Sequence, residues 1–249
     1  MTTSPASLFQ LDASNGMPLY MQLINSVKSA IARHELQPGD AIPSERDLVE
    51  SLNIARGTIR KAFQQLLEEG ILIRNQGSGT FVAPHVRQSL PLLESFSEMA
   101  DASGGKAQSE LVGYLRRAST PKEREILRLA DEQKEVVELT RLRKINGIAV
   151  SLQTAILPAH LLDKINELDE SLYLYLEKKG SPVLRASQHF KAVMTDNKLA
   201  YYLGIKEHHP LLLVTRTGYT YHEQPVEYTC TWCLNDYYDF TIELRLPQK

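Results

Sequence analysis

Two pairs of arginines have the spacing for chemistry. Arg56 and Arg60, in "ARGTIRK", are four residues apart, with Lys61 beside them, and Arg141 and Arg143, in "ELTRLRK", are two apart. A guanidinium presents a planar fork of donors that matches guanine O6 and N7, a phosphate or a carboxylate. At a spacing of four the first pair shares one side of a helix. At a spacing of two the second pair shares one face of a strand. The first arrangement suits the groove of a duplex, the second a small anion.

Alternation around the second pair puts Val137, Leu139, Arg141 and Arg143 on one face, and Val136, Glu138, Thr140 and Leu142 on the other. If the first face points inward, its guanidiniums need an anion, because an unpaired buried charge is costly. A ligand phosphate or carboxylate would serve. Otherwise the two are rim arginines bridging to glutamates. Farther on, Glu227, Thr229, Thr231 and Cys233 share a face, which suits either a hydroxylated ligand or solvent. The two cysteines stand in "CTWC" at 230–233. Positions three apart on a strand face opposite ways, so neither a redox pair nor a zinc site is expected. The seven histidines show no HExxH spacing, and there is no GxSxG and no phosphate-binding Gly-Lys loop. No acid/base pair or nucleophile is identifiable, so an enzyme is not expected, nor a cofactor or metal.

The elements that must position the first pair are legible. Tyr20, Leu23, Ile24, Val27, Ala30 and Ile31 follow helical spacing, and "QPGD" at 37–40 ends that helix. Ser44 reads as the N-cap of a second, short helix with Leu48, Val49 and Leu52 as its apolar side. After the turn "LNIARG", a third helix buries Ile59, Ala62, Phe63, Leu66 and Leu67 and stops at Gly70. Opposite that stripe lie Arg56, Arg60, Lys61 and Gln64. Two short helices around a tight turn make a helix-turn-helix, whose second helix enters the major groove. "ILIRN-QGSG-TFVAP" then reads as a glycine hairpin, a wing in which Gly77 and Gly79 permit close approach to phosphate.

The second half is a mixed pattern. "EVVELTRLRKINGIAVSLQTAIL" is strand, Asn-Gly turn, strand, and "PLLLVTRTGYTYHEQPVEYTCTWC" echoes it. Helical stretches are expected at 159–166, 170–179 and 195–203, the last capped by Thr195 and ended by Gly204. The fold class is α+β: a winged helix-turn-helix over 1–83, a linker over 84–94 with two prolines and no clear period, and an antiparallel sheet with packed helices over 95–249.

Charge alone does not advertise a DNA binder. The chain of 249 residues has a net charge of −2, and residues 1–84 hold seven Lys/Arg against eight Asp/Glu. Clustering matters more than the sum. The start "MTTSPASLFQLDAS" lacks the basic and apolar regions of a secretion signal, and no apolar run is long enough to span a membrane. A cytoplasmic location is expected.

The stretch from "PLYMQLINSVKSAI" through "PSERDLVESLNIARGTIRKAFQQLLEEGILIRNQGSGTFV" resembles the winged helix-turn-helix of GntR-family transcription regulators over 18–83. The resemblance implies DNA contacts from Arg46, Arg56, Thr58 and Arg60, and wing contacts from Gln76 and Gly77. Where the family usually has Ser and Thr around the first arginine of the recognition helix, this chain has Ala55 and Gly57, which removes a cap worth about 1 kcal/mol. Residues 93–246 resemble the effector domain of the HutC branch, a chorismate-lyase-like fold, through "LESFSEM", "LTRLRKINGIAVSLQTAILP", "ESLYLYL" and "QPVEYTCTWCLNDYYDF". In the amino-sugar-phosphate sensors of that branch the matching positions hold phosphate. That implies Ser97, Arg141, Arg143, Ser171 and Tyr173 here, with Glu227 on the sugar. Two positions depart: a family Glu is Gln153, and a family Tyr is Cys233. The effector implied is a sugar phosphate other than N-acetylglucosamine 6-phosphate, or another anion.

These readings converge on a ligand-responsive, homodimeric repressor of a palindromic double-stranded DNA operator, with no membrane partner. The alternatives are a chorismate-lyase-type enzyme fused to a DNA-binding module, and a constitutive architectural DNA binder, which leaves the Arg141/Arg143 face unexplained.

Overall fold

The computed structural model describes residues 8–9, 11–12, 14–75, 78–84, 86–90, 92–168 and 171–244. It divides into two compact units, Met1–Pro84 and His85–Lys249.

In the first unit, α1 (Leu19–Ala32) and α3 (Arg56–Glu68) pack with α2 (Glu45–Leu52) around Leu23, Leu48, Ile59, Phe63 and Leu66, all fully buried. Ser44 caps α2 through a reciprocal box: its hydroxyl accepts from the Asp47 amide, and the Asp47 carboxylate accepts from the Ser44 amide. Asn53, at φ 52°, ends α2 and turns the chain into α3. Ala55 gives α3 no side-chain cap, and Gly70, at φ 66°, follows its end. The hairpin is present as β2 (Leu72–Asn75) and β3 (Gly79–Val82), and Gly79 needs its φ of 115°. A third strand escaped the sequence reading. β1 (Ala41–Ile42) pairs with β3 just past the "QPGD" turn, which gives the order β1-β3-β2.

The second unit is a six-stranded, wholly antiparallel sheet. In chain order its strands are β5 (Ala107–Ala118), β6 (Glu135–Ile145), β7 (Ile148–Pro158), β8 (Arg185–Met194), β9 (Pro210–Tyr219) and β10 (Pro225–Leu234); in space they run β5-β6-β7-β10-β9-β8. Asn146 and Gly147, at φ 49° and 82°, make the two-residue turn between β6 and β7. The echoing hairpins therefore lie side by side, joined through β7 and β10. Helix α5 (Pro121–Leu127) and α7 (Asn197–Leu203) cover one sheet face, over clusters that include Val136 and Ile156, and Leu142 and Leu152. The other face meets α4 (Phe96–Ala102) and α6 (Leu172–Lys178).

Three local expectations are corrected. The 195–203 helix is capped by Asp196, whose carboxylate accepts from the Leu199 amide. Thr195 instead donates to the Lys206 carbonyl and accepts from the His209 amide. The 159–166 stretch forms two 3-10 turns, Ala159–Leu161 and Ile165–Glu167. The segment read as a linker carries β4 (Val86–Ser89), which pairs in parallel with β11 (Tyr238–Thr241) within the second unit.

Candidate anion pocket and nucleic-acid interface

Along one face of β6 the side chains run apolar, charged, apolar. Val137 and Leu139 join the cluster under α6, and Ile145 joins the cluster under α4 and β4. Between them Arg141 and Arg143 are 3% and 5% exposed, so the inward alternative holds over the rim one. Strand register builds the site floor. Arg141 stands opposite Gln153 on β7, which stands opposite Thr231 on β10; one step along, Arg216 on β9 stands opposite Thr229.

The residues converge on one partly open cavity of about 60 Å³. All seven effector positions line it: Ser97, Arg141, Arg143, Gln153, Ser171, Tyr173 and Glu227. The Gln153 carbonyl oxygen is the hub of one half. It accepts from Arg141 Nη2 at 3.2 Å and from Arg143 Nε at 3.1 Å, and also from Arg143 Nη2. Its amide nitrogen donates to Thr231 Oγ1 at 3.2 Å. A glutamate here would set a negative charge between the guanidiniums; the amide gives them a shared neutral acceptor. In the other half, Tyr173 donates to Glu227 at 2.6 Å and accepts from Arg216 at 2.9 Å, while Thr229 donates to Glu227 at 2.9 Å. Ser171 is partly committed to structure, its hydroxyl accepting from the Leu174 amide as the cap of α6.

The electrostatics separate the halves. Burial pushes Arg143 down to about 10, and burial followed by the Arg143 charge pushes Arg141 well below the usual guanidinium value. Burial also opposes the Arg216 charge, but Tyr173 and Glu227 outweigh it and leave its pKa raised. Burial and Glu227 together hold the Tyr173 phenol protonated. Arginine keeps its proton at neutral pH, so the lining carries three guanidiniums against one carboxylate, Glu227.

Arg216 was missed at the sequence level. Its signal is the echo itself: "LTR" at 139–141 and "VTR" at 214–216 occupy matching strands. Gly218, two residues on, has a clear role. A Cβ there would lie 2.8 Å from Cγ and 2.9 Å from Oε1 of Glu227, and 2.9 Å from a Val183 methyl. Gly218→Ala is therefore expected to displace the Glu227 carboxylate, cost about 1–3 kcal/mol of stability and weaken the effector response. Thermal unfolding and effector titration of the variant check both effects. Cys233 lines the cavity, and burial raises its pKa. It and Cys230 are free thiols.

In the first unit, Arg56 and Arg60 are exposed at the start of α3 and Thr58 is half-buried beside them. Glu45 on α2 lies 3.7 Å from Arg56 and 3.2 Å from Arg74. Arg46 pairs with Glu50 along its own helix at 3.0 Å. Lys61 differs from the sequence reading: its ammonium sits 3.8 Å over the Tyr20 ring, against α1. Gln76 and Gly77 lie outside the described residues.

Comparison with known proteins accounts for both units. Residues 19–82 match the family described as bacterial regulatory proteins, gntR family, and residues 102–239 match the UTRA domain. The chain is 32% identical over 234 residues to the HTH-type transcriptional repressor NagR of Bacillus subtilis, covering 92% of this chain and 96% of that one. It is 29% identical to the HTH-type transcriptional regulator GgaR of Escherichia coli K12, covering 93% of each. The crystal structure of PhnF from Mycobacterium smegmatis superposes with a TM-score of 0.64 at 27% identity, over 89% of this chain and all of that one. NagR and GgaR, named as a transcriptional repressor and a transcriptional regulator, match over 96% and 93% of their own length, which favours the regulator over the fused-enzyme alternative. The chain belongs to the GntR family of bacterial regulatory proteins, among the HutC-type members that join a helix-turn-helix to a UTRA domain, and it is a ligand-responsive DNA-binding regulator of transcription.

Proposed function

We propose that the protein is a cytoplasmic, homodimeric repressor that leaves a palindromic operator when a phosphorylated sugar fills the pocket. The observation that carries this reading is the charge of the lining, three guanidiniums (Arg141 and Arg143 buried, Arg216 half-buried) to one carboxylate. A phosphate monoester brings about −1.5 to −2 at neutral pH and three strong acceptors, which matches the remaining positive charge. Arg141 and Arg143 would take the phosphate, with Ser97, Ser171 and Tyr173 at its edge. Tyr173, Arg216, Glu227 and Thr229 already form a donor–acceptor cluster, the chemistry that recognises sugar hydroxyls. Gln153 and Cys233 set this pocket apart from the amino-sugar-phosphate pattern, and N-acetylglucosamine 6-phosphate is expected to bind more weakly than the true effector.

The effector moves the DNA-binding equilibrium only by the difference in its affinity for the two states. In a two-fold dimer each recognition helix would read one half-site, about one helical turn from the other or at a related spacing. Arg46, Arg56, Thr58 and Arg60 are the proposed contacts, with Gln76 and Gly77 from the wing. Arg56→Ala and Arg60→Ala should each weaken operator binding by about 1–3 kcal/mol if bidentate to a base, with little change in melting temperature. Wild-type affinity in both variants contradicts this docking. Fluorescence anisotropy on the native upstream DNA tests the whole reading. Sugar phosphates should release the operator and the corresponding free sugars should not. Release by carboxylates such as urocanate with every sugar phosphate silent contradicts the phosphate assignment.

A further inference from the structure

One buried polar group in the pocket stands outside the hydrogen-bond clusters around Gln153 and Glu227. Gln88, on β4, is 3% exposed and lines the same cavity as the arginines. Its amide nitrogen is buried and has no hydrogen-bond partner among the described residues. Folded proteins rarely tolerate such an orphan, because its water is lost and nothing replaces it. A leucine or methionine would fill the same space without that penalty. A donor kept there, facing a cavity, has the form of a ligand contact.

Its place in the chain gives that contact a consequence. The DNA-binding unit ends at Pro84, and β4 starts at Val86. β4 is held to the effector unit by its parallel ladder with β11, where Gln88 stands opposite Phe240 and Val86 opposite Tyr238. Tyr238 and Phe240 line the cavity too, and Tyr238 shares a 2.8 Å hydrogen bond with Ser151 on the floor. The first strand out of the DNA-binding unit is therefore part of the pocket wall.

We propose that Gln88 donates its amide hydrogen to the bound anion, so that effector binding fixes the strand leading out of the DNA-binding unit. The proposal rests on the anion reading of the pocket. No covalent step is involved; the effector supplies an acceptor that none of the described residues provides. Part of its binding free energy is then expressed in the position of β4, which couples occupancy to the operator.

The test uses the full chain and its Gln88→Leu and Gln88→Glu variants, with inorganic phosphate and glucosamine 6-phosphate as probes. Ligand-free Gln88→Leu should melt at or above the wild-type temperature and bind the operator like wild type. It should need about tenfold more of each probe for the same rise in melting temperature, the loss expected for one hydrogen bond to a charged acceptor. Gln88→Glu should lose more, because its carboxylate opposes the anion. Wild-type probe affinity in Gln88→Leu overturns this inference and leaves the anion reading standing. A lower melting temperature in ligand-free Gln88→Leu also overturns it, because the amide would already be serving the fold. If wild type itself responds to neither probe, nor to a panel of other sugar phosphates and carboxylates, the anion reading falls and takes this inference with it.

Discussion

Arg143→Ala and Arg141→Ala should each abolish operator release by the effector while ligand-free operator binding stays at the wild-type level. Each guanidinium would supply charge-assisted hydrogen bonds to the phosphate, worth about 1.5–3 kcal/mol apiece. Losing one fork therefore costs roughly one to two orders of magnitude or more in affinity. The loss should not come from unfolding. Both side chains are nearly fully buried, each is pushed toward neutrality by burial, and Arg141 is further disfavoured by its neighbour's charge. Removing one relieves that repulsion and leaves Gln153 with the other as donor. The expected ligand-free melting temperature is within a few degrees of wild type, since the cavity left by truncation offsets the relief. A variant that unfolds, or one that still releases the operator at wild-type effector concentrations, contradicts the assignment. Arg143→Lys keeps the charge without the planar fork and should recover only part of the response.

Cutting the chain after Pro84 should weaken operator binding by about 10²–10⁴, the gain that tethering two half-site readers provides. The fragment has its own core, built on Leu23, Leu48, Ile59, Phe63, Leu66 and Leu72, so the loss would be one of valence. Light scattering on the full chain should give about twice its 28.1 kDa. Equal affinity for fragment and full chain, or a tightly binding monomer, contradicts the dimeric reading. The isolated unit should also show a shallower salt dependence, because fewer phosphates are neutralised per binding event.

Much of this was readable from local pattern. The three helices of the first unit follow from apolar spacing, and Ser44 and Gly70 mark boundaries through chemistry that acts within one turn. The inward face of β6 follows from alternation, and the Asn146-Gly147 turn from its need for positive φ. The remainder depended on neighbours far apart in sequence. Arg216 joins the site only because β9 lies against β10 and β10 against β7. Gln88 joins it only because β4 pairs with a strand about 150 residues later, as Gln88 opposite Phe240, and the short polar run "VRQS" carries no periodic signal. Lys61 was placed by helical phase alone, which did not reveal that Tyr20 of α1 would draw it away. Thr195 and Asp196 are both good caps; the hydrogen bonds of Thr195 to Lys206 and His209 decided between them.

The central claim is that the pocket selects a phosphorylated ligand by charge, and calorimetry with matched pairs tests it most directly. Glucosamine 6-phosphate, N-acetylglucosamine 6-phosphate and glucose 6-phosphate are each titrated against the corresponding free sugar. At least one phosphate should bind with measurable heat, its free sugar should be silent, and the binding should vanish in Arg143→Ala. Free sugars that bind as well as their phosphates would contradict the account, because the three arginines of the lining would then be contributing nothing to selection.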